Sequence, residues 1–183
     1  MDKTTRMHLD NLHSQDGDRR YAALMYLLKA TDRPVDWAYE VWDAFVANLR
    51  DRDNHVRAIA AQLLCGLAKS DPRNRMLKDF DALMVVTRDE RFVTARHCLQ
   101  SLWKVGLAGK KQQKLVVDGL AGRFADCAAE KNCTLIRYDI LQGLRNLYDE
   151  VGDERVKAKA LELIETEQDA KYRKKYAGVW KTH

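Results

Sequence analysis

The stretch Asp51-Arg52-Asp53-Asn54-His55-Val56-Arg57-Ala58-Ile59-Ala60-Ala61-Gln62-Leu63-Leu64-Cys65-Gly66-Leu67 decides how the rest of the chain is read. Its apolar residues Val56, Ala60, Leu63 and Leu67 fall at i, i+4, i+7 and i+11, and Ile59 and Leu64 widen the same stripe. That spacing is one face of an α-helix, because residues three and four apart lie over one another on a helix and on opposite faces of a strand. The residues from Asp51 to Asn54 supply a polar turn with side chains able to cap the first free N–H groups of the helix.

The same pattern recurs 39 residues later at Ala95, Leu99, Leu102 and Gly106, with Cys98 and Trp103 beside it. It recurs again at Ile136, Ile140, Gly143 and Leu147. In all three copies an arginine follows the first apolar position: Arg57, Arg96 and Arg137. A weaker first copy brings Arg20 into register with Ala23, Tyr26 and Ala30, so the four arginines are 37, 39 and 41 residues apart. Ahead of each of the last three copies lies another amphipathic helix, expected over roughly 35–50, 74–87 and 111–130. Pro34 and Pro72 are 38 residues apart and are expected in the first turn of two of these helices, where the missing N–H costs nothing. The unit is therefore helix, short turn, helix, repeated about every 39 residues. A single pair of this length cannot bury its apolar face alone and must stack on its neighbours. Asp153 to Thr166 predicts one further helix with Val156, Ala160, Leu163 and Ile164 inward, and Gln168 to Trp180 either continues it or forms a cap.

The segment Asp53-Asn-His-Val-Arg-Ala-Ile-Ala-Ala-Gln-Leu-Leu resembles the second helix of a HEAT repeat, and Asp89-Glu-Arg-Phe-Val-Thr-Ala-Arg and Cys133-Thr-Leu-Ile-Arg are poorer copies of it. The turn before Ile136 lacks a well-placed Asp, which makes that copy atypical. The resemblance covers roughly residues 1–166 and implies an all-α, right-handed solenoid of four to five helix pairs in one domain over 1–183. It also implies that second helices line the concave face. The positions left outside the core stripe there are Ala58, Ala61, Gln62 and Cys65, then His97, Gln100, Ser101 and Lys104, then Tyr138, Leu141, Gln142 and Arg145. The first copy would add Tyr21, Leu24, Met25 and Leu28. Of these, Gln62, His97, Gln100, Ser101, Lys104, Tyr138, Gln142 and Arg145 are the candidate partner-binding residues. The competing reading of the strip is an ordinary solvated face.

The resemblance assigns Arg57, Arg96 and Arg137 to a structural ladder, each reaching an acid of its own or a neighbouring turn, with Asp53 and Glu90 the acids at hand. The alternative is a basic groove for phosphate. HEAT-like-repeat DNA glycosylases combine Trp, Asp and Arg on a concave surface, and here Trp37, Trp42 with Asp43, Trp103 and Trp180 are the residues of those types. Their spacing does not assemble one cluster beside Arg96 or Arg137. The expected function is accordingly a non-catalytic protein-binding module or scaffold, with a nucleic-acid-binding protein, including a glycosylase of that type, as the alternative.

Composition agrees with a helical chain that needs few tight turns: 183 residues, two prolines, nine glycines and 46% hydrophobic residues. The net charge of +5 equals the content of the last thirteen residues, which hold five cations and no acid. In Lys171 to Lys181 those cations interleave with Tyr172, Tyr176 and Trp180, four residues apart and so on one helix face. Segment 168–183 is read as a C-terminal cap whose aromatics cover the last pair, against a tail that binds nucleic acid or an anionic surface. Cys65, Cys98, Cys127 and Cys133 form no CxxC pair, and with His8, His13, His55, His97 and His183 they make no metal-ligand spacing, so neither metal nor cofactor is expected. No phosphate loop, dinucleotide fingerprint or catalytic triad signature occurs. Met1-Asp2-Lys3-Thr4 opens no apolar run and no membrane span is expected, which predicts a cytoplasmic monomer.

Overall fold

The computed structural model describes residues 1–181, so His183 and the end of segment 168–183 lie outside the described residues. Among the described residues all regular secondary structure is helical. The α-helices are α1 Lys3–Asn11, α2 Gly17–Ala30, α3 Ala38–Asn48, α4 Asn54–Leu67 and α5 Met76–Val86, followed by α6 Phe92–Ser101, α7 Lys110–Asp126, α8 Cys133–Val151, α9 Glu154–Glu165 and α10 Ala170–Val179. Short 3₁₀ turns occupy Ala68–Ser70, Leu102–Ala108 and Cys127–Ala129.

Capping chemistry sets the starts. Asp16, Asp53 and Asp169 precede α2, α4 and α10 in extended conformation, and each carboxylate accepts the N–H two residues on. Asp2 and Asp153 accept from the first turns of α1 and α9. Free N–H groups and the positive end of the helix dipole favour a carboxylate at each of these sites. At the other end of α8, Gly152 takes a left-handed conformation (φ 61°) that closes the helix. Pro34 and Pro72 stand four residues before α3 and α5, in the turns rather than in the first helical turn expected for them. α3 and α5 open at Ala38 and Met76, later than the expected starts near 35 and 74, and proline's fixed φ suits the longer turns equally.

Each odd-numbered helix packs on the even-numbered helix that follows it. The even helices α2, α4, α6, α8 and α10 also pack on one another in chain order, as do α5, α7 and α9. The hydrophobic core runs between these two rows as one cluster from Leu12 to Tyr176. It contains Ala60, Leu63 and Leu67, Leu99 and Leu102, and Ile136, Ile140 and Leu147, the repeated apolar positions of the sequence. In α2 the inward residues are Ala23 and Leu27. Tyr26, expected inward, instead stacks on His8 of α1 at 3.9 Å. Close approach of α2 to α4 requires Gly66, where a Cβ would come within 2.4 Å of the buried Thr31 hydroxyl.

The chain ends in a separate helix. α10 packs on α8 and α9, and Tyr176 is fully buried there, donating its hydroxyl to the Thr134 carbonyl at 3.0 Å. Burial pushes the Tyr176 hydroxyl well above the ordinary tyrosine range. The cations Lys171, Arg173 and Lys174 are exposed, and Lys175 lies over the Tyr138 ring at 5.0 Å. No helix among the described residues is long and apolar enough to cross a membrane.

Candidate functional site

The repeated arginines stitch successive even helices together. Arg57 of α4 donates from Nε and Nη2 to the two Asp89 oxygens at 2.6 and 2.9 Å, and from Nη1 to the carbonyls of Asp51 and Arg52. Arg96 of α6 donates to both oxygens of Asp139 at 2.7 and 2.9 Å. Arg137 of α8 donates to Glu167 at 2.7 Å and to the Phe124 carbonyl at 3.2 Å. Paired carboxylate–guanidinium bonds of this kind are the stronger class of protein hydrogen bond. They raise Arg57 and Arg96 above their ordinary values and hold Asp89 below its own, chiefly through the Arg57–Asp89 bond.

Asp53 and Glu90, the acids at hand in the sequence, are not the partners. Asp53 is occupied as the N-cap of α4, and each arginine extends forward into the next unit. The true partners carry a recurring signal that escaped the sequence reading. Asp51, Asp89 and Glu167 each stand two residues before the residue that opens α4, α6 or α10, and each accepts that residue's N–H at 2.8–3.0 Å. In the turn before α8 the equivalent Glu130 is taken by Arg123 at 2.6 and 2.8 Å, so Asp139, two positions beyond Arg137, serves Arg96 instead. Arg173, four residues after Asp169 as Arg57 is after Asp53, is a fifth copy that the sequence reading also missed.

The first joint differs. Arg20 of α2 donates to the Ser14 and Gln15 carbonyls, six and five residues back, as Arg57 does to Asp51 and Arg52. Among the described residues no carboxylate pairs with it, although Asp51 stands at the equivalent register. A cavity of about 410 Å³, lined by Leu12, His13, Arg20, Asp53, His55 and Val56 among others, occupies this joint.

Beside it runs a larger groove of about 630 Å³. Its floor is α4, with Ala58, Ile59 and Gln62; one wall is α2, with Tyr21, Leu24, Met25 and Leu28; the other is α6, with Val93, Thr94 and His97. Gly17, Arg20, Asn54 and His55 complete the lining, which holds no acidic side chain among the described residues. Tyr21 and Val93 are each 65% exposed and Met25 46%. Partial burial, then Arg96, then His55 lower the pKa of His97, so at neutral pH its imidazole is uncharged. Past the C-terminal ends of α2 and α6, Lys104 and Asp32 pair at 3.1 Å and link the two walls across α4.

Gln62 and His97 are the candidate residues that this groove collects. The other six make intramolecular contacts outside the groove, five of them on α6 and α8 and Lys104 on the 3₁₀ turn after α6. Gln100 donates to Asp139, Ser101 to the His97 carbonyl, and Lys104 to Asp32. Gln142 donates to Asn146, Arg145 to Asp149 and the Val179 carbonyl, and Tyr138 lies beneath Lys175. Ala58, Ala61 and Cys65, expected on the outer face, are buried, because α2 and α6 close over the small residues of α4. Burial drives the Cys65 thiol up to about 12. Leu141 is likewise buried on α8, which lies between α6 and α10.

Trp37 and Trp42 are buried, and Trp42 Nε1 donates to Asp79 at 2.8 Å, joining α3 to α5. Asp43 is exposed and pairs with Arg75. Trp103 is half-buried against the core, and Trp180 packs against Arg145 and Tyr148. None of the four tryptophans lines the groove. All four cysteines are buried free thiols, with Cys127 and Cys133 sulfurs 3.0 Å apart. Among the described residues no three His, Cys, Asp or Glu side chains converge in a way that could hold a metal ion. A second cavity, about 320 Å³ between α7 and α9, has Lys110, Lys114, Arg155 and Lys159 on its rim, each paired with Asp153, Asp118 or Glu162. No family model and no curated protein sequence matches the chain.

Proposed function

We propose that the chain is a HEAT-like, right-handed helical solenoid that works as a non-catalytic docking module, taking a segment of a partner protein into the groove formed by α2, α4 and α6. The observation that carries this reading is that Tyr21, Met25 and Val93, three of the nine exposed large apolar side chains among the described residues, converge on one 630 Å³ groove, while the other six lie outside it. Clustered exposed apolar surface of this kind marks interaction sites, whereas isolated exposed residues do not. The forward-reaching arginines support the stacked-repeat architecture, since Arg57, Arg96 and Arg137 each bond one unit to the next, Arg57 and Arg137 through a turn acid and Arg96 through Asp139 of α8.

The test is a pair of groove substitutions, Tyr21→Glu with Met25→Glu. Both side chains are exposed, so far-ultraviolet circular dichroism and melting should be unchanged. A partner identified by affinity capture and then purified should lose at least about tenfold in affinity by titration calorimetry, the effect of about 1.4 kcal/mol. Equal affinity for wild type and variant would remove the groove from consideration as the docking site.

A further inference from the structure

We infer that the segment docked in this groove is an acidic amphipathic helix whose carboxylate pairs with Arg20, closing from outside the rung that the chain leaves open. The inference rests on the docking reading and adds the chemistry of the partner to it.

Three observations meet at this place. The first is the internal pattern: Arg57 and Arg96 each hold a carboxylate with two bonds, and Arg137 holds one, whereas Arg20 is satisfied only by carbonyls of its own turn. Arg20 lines both the 410 Å³ cavity, where Asp53 also stands, and the 630 Å³ groove. A guanidinium presents five donors in a fixed fork that matches a carboxylate, so a carboxylate is the group that would complete it. The second is charge: among the described residues Arg20 is the only Lys, Arg, Asp or Glu side chain that lines the groove. An occupant bearing a carboxylate is attracted, and one bearing lysine or arginine meets like charge. The third is shape. Tyr21, Leu24, Met25 and Leu28 fall at i, i+3, i+4 and i+7 on α2 and form a helical ridge facing Val93 of α6 across the small floor residue Ala58. Apolar ridges over small residues receive another helix by ridge-into-groove packing, with anchors at the same spacing on the incoming segment. The seven steps from Tyr21 to Leu28 span about 10 Å at 1.5 Å per residue, so two turns of the occupant are engaged.

The probe is a phage-displayed library of helix-favouring sixteen-residue peptides, selected on the full chain, with the enriched peptides synthesised and titrated by fluorescence anisotropy. The expected peptides carry apolar residues at i, i+3 or i+4, and i+7 with a Glu or Asp beside them, and lose binding to Tyr21→Glu. For one such peptide, Glu→Gln in the peptide and Arg20→Gln in the protein should each weaken binding about tenfold, and the two together no more than either alone, the signature of a direct pair. Should Arg20→Gln disturb the turn at Ser14 and Gln15, as circular dichroism would reveal, the peptide Glu→Lys change on the wild-type chain carries the same test and should abolish binding. Enriched peptides that need Tyr21 but carry no acid, or a fully additive Arg20 cycle, overturn the inference and leave the docking reading standing. Peptides indifferent to Tyr21→Glu, or no enrichment at all, overturn both. Arg20-dependent displacement of the peptide by a mixed-sequence DNA duplex overturns it in favour of a phosphate polyanion.

Discussion

The two ends of the molecule solve the same problem in opposite ways. At the C-terminal end, α10 lays Tyr176 into the core beside Phe124, Arg137 is bonded to Glu167, and Arg145 is tied to the Val179 carbonyl. At the N-terminal end, α2 leaves Tyr21 and Met25 in solvent, and Arg20 reaches no acid among the described residues. Both helices open with an Asp N-cap and carry an arginine four residues later, so the two starts share that cap-and-arginine spacing. The difference lies in what the following and preceding units offer. A repeated helix supplies a standard set of bonding positions, and the proposed docking site lies where the standard partner is withheld.

The largest effect expected from breaking this contrast is at Tyr176. Tyr176→Ala removes a fully buried ring and its hydrogen bond to Thr134. Aromatic-to-alanine changes in cores cost about 3–5 kcal/mol, and urea denaturation should show a loss in that range. It should be accompanied by loosening of α10 in amide hydrogen exchange. A loss comparable to that of a surface substitution would mean that α10 is a detachable tail, and the two ends would then be alike.

A smaller effect should separate the closed rungs from the open one. Asp89 is nearly buried and holds Arg57 with two bonds, so Asp89→Asn should destabilise by about 1–3 kcal/mol. Asp51 stands at the same register but holds no arginine, and Asp51→Asn should fall within about 0.5 kcal/mol of wild type, since an amide oxygen still accepts the Asp53 N–H. The closed rung also has a pH signature. Its bond to Arg57 lowers the folded pKa of Asp89 below the ordinary aspartate value of about 4. The unfolded chain therefore takes up the proton first as pH falls, so the stabilisation is complete above about pH 5 and is lost as pH drops through the depressed folded value. Chemical denaturation at pH 6 and pH 3 should show Asp89→Asn less sensitive to acid than wild type, and Asp51→Asn as sensitive as wild type.

The helices and their inward residues were legible because a 3.6-residue period is a local property: Ala60, Leu63 and Leu67 are buried where the pattern places them. The ladder was half legible. The arginines repeat visibly, but their acids lie 32, 43 and 30 residues further on, in the next unit. A reading that seeks acids near each arginine finds Asp53, which the helix start has already claimed. The outer face was least legible, because burial there depends on how α2 and α6 lean over α4. Ala58, Ala61 and Cys65 sit off the core stripe by periodicity and are buried by their neighbours. The groove follows from the same cause: small residues along α4 let two larger-faced helices approach and leave a trough between them.

The smallest expected effect sharpens the comparison most. Tyr21 and Tyr176 are both aromatic residues on even helices, and only their surroundings differ. Tyr21→Ser removes a ring that is 65% exposed and borders the groove. Exposed substitutions away from caps and cores stay within about 0.5 kcal/mol, so the urea midpoint should not move measurably. If the ring instead closes the first joint as Tyr176 closes the last, the loss would approach that of a core aromatic, and thermal melting would expose it by several degrees. The stability-neutral result has a physical consequence. A side chain that contributes nothing to the fold while exposing an aromatic ring to water is free to contribute its buried area to a contact with another molecule, at about 25 cal/mol per Å² removed from water. Tyr21→Ser should therefore leave the fold unchanged and weaken a groove-bound peptide, whereas Tyr176→Ala should weaken the fold while the peptide affinity of the molecules that remain folded stays the same.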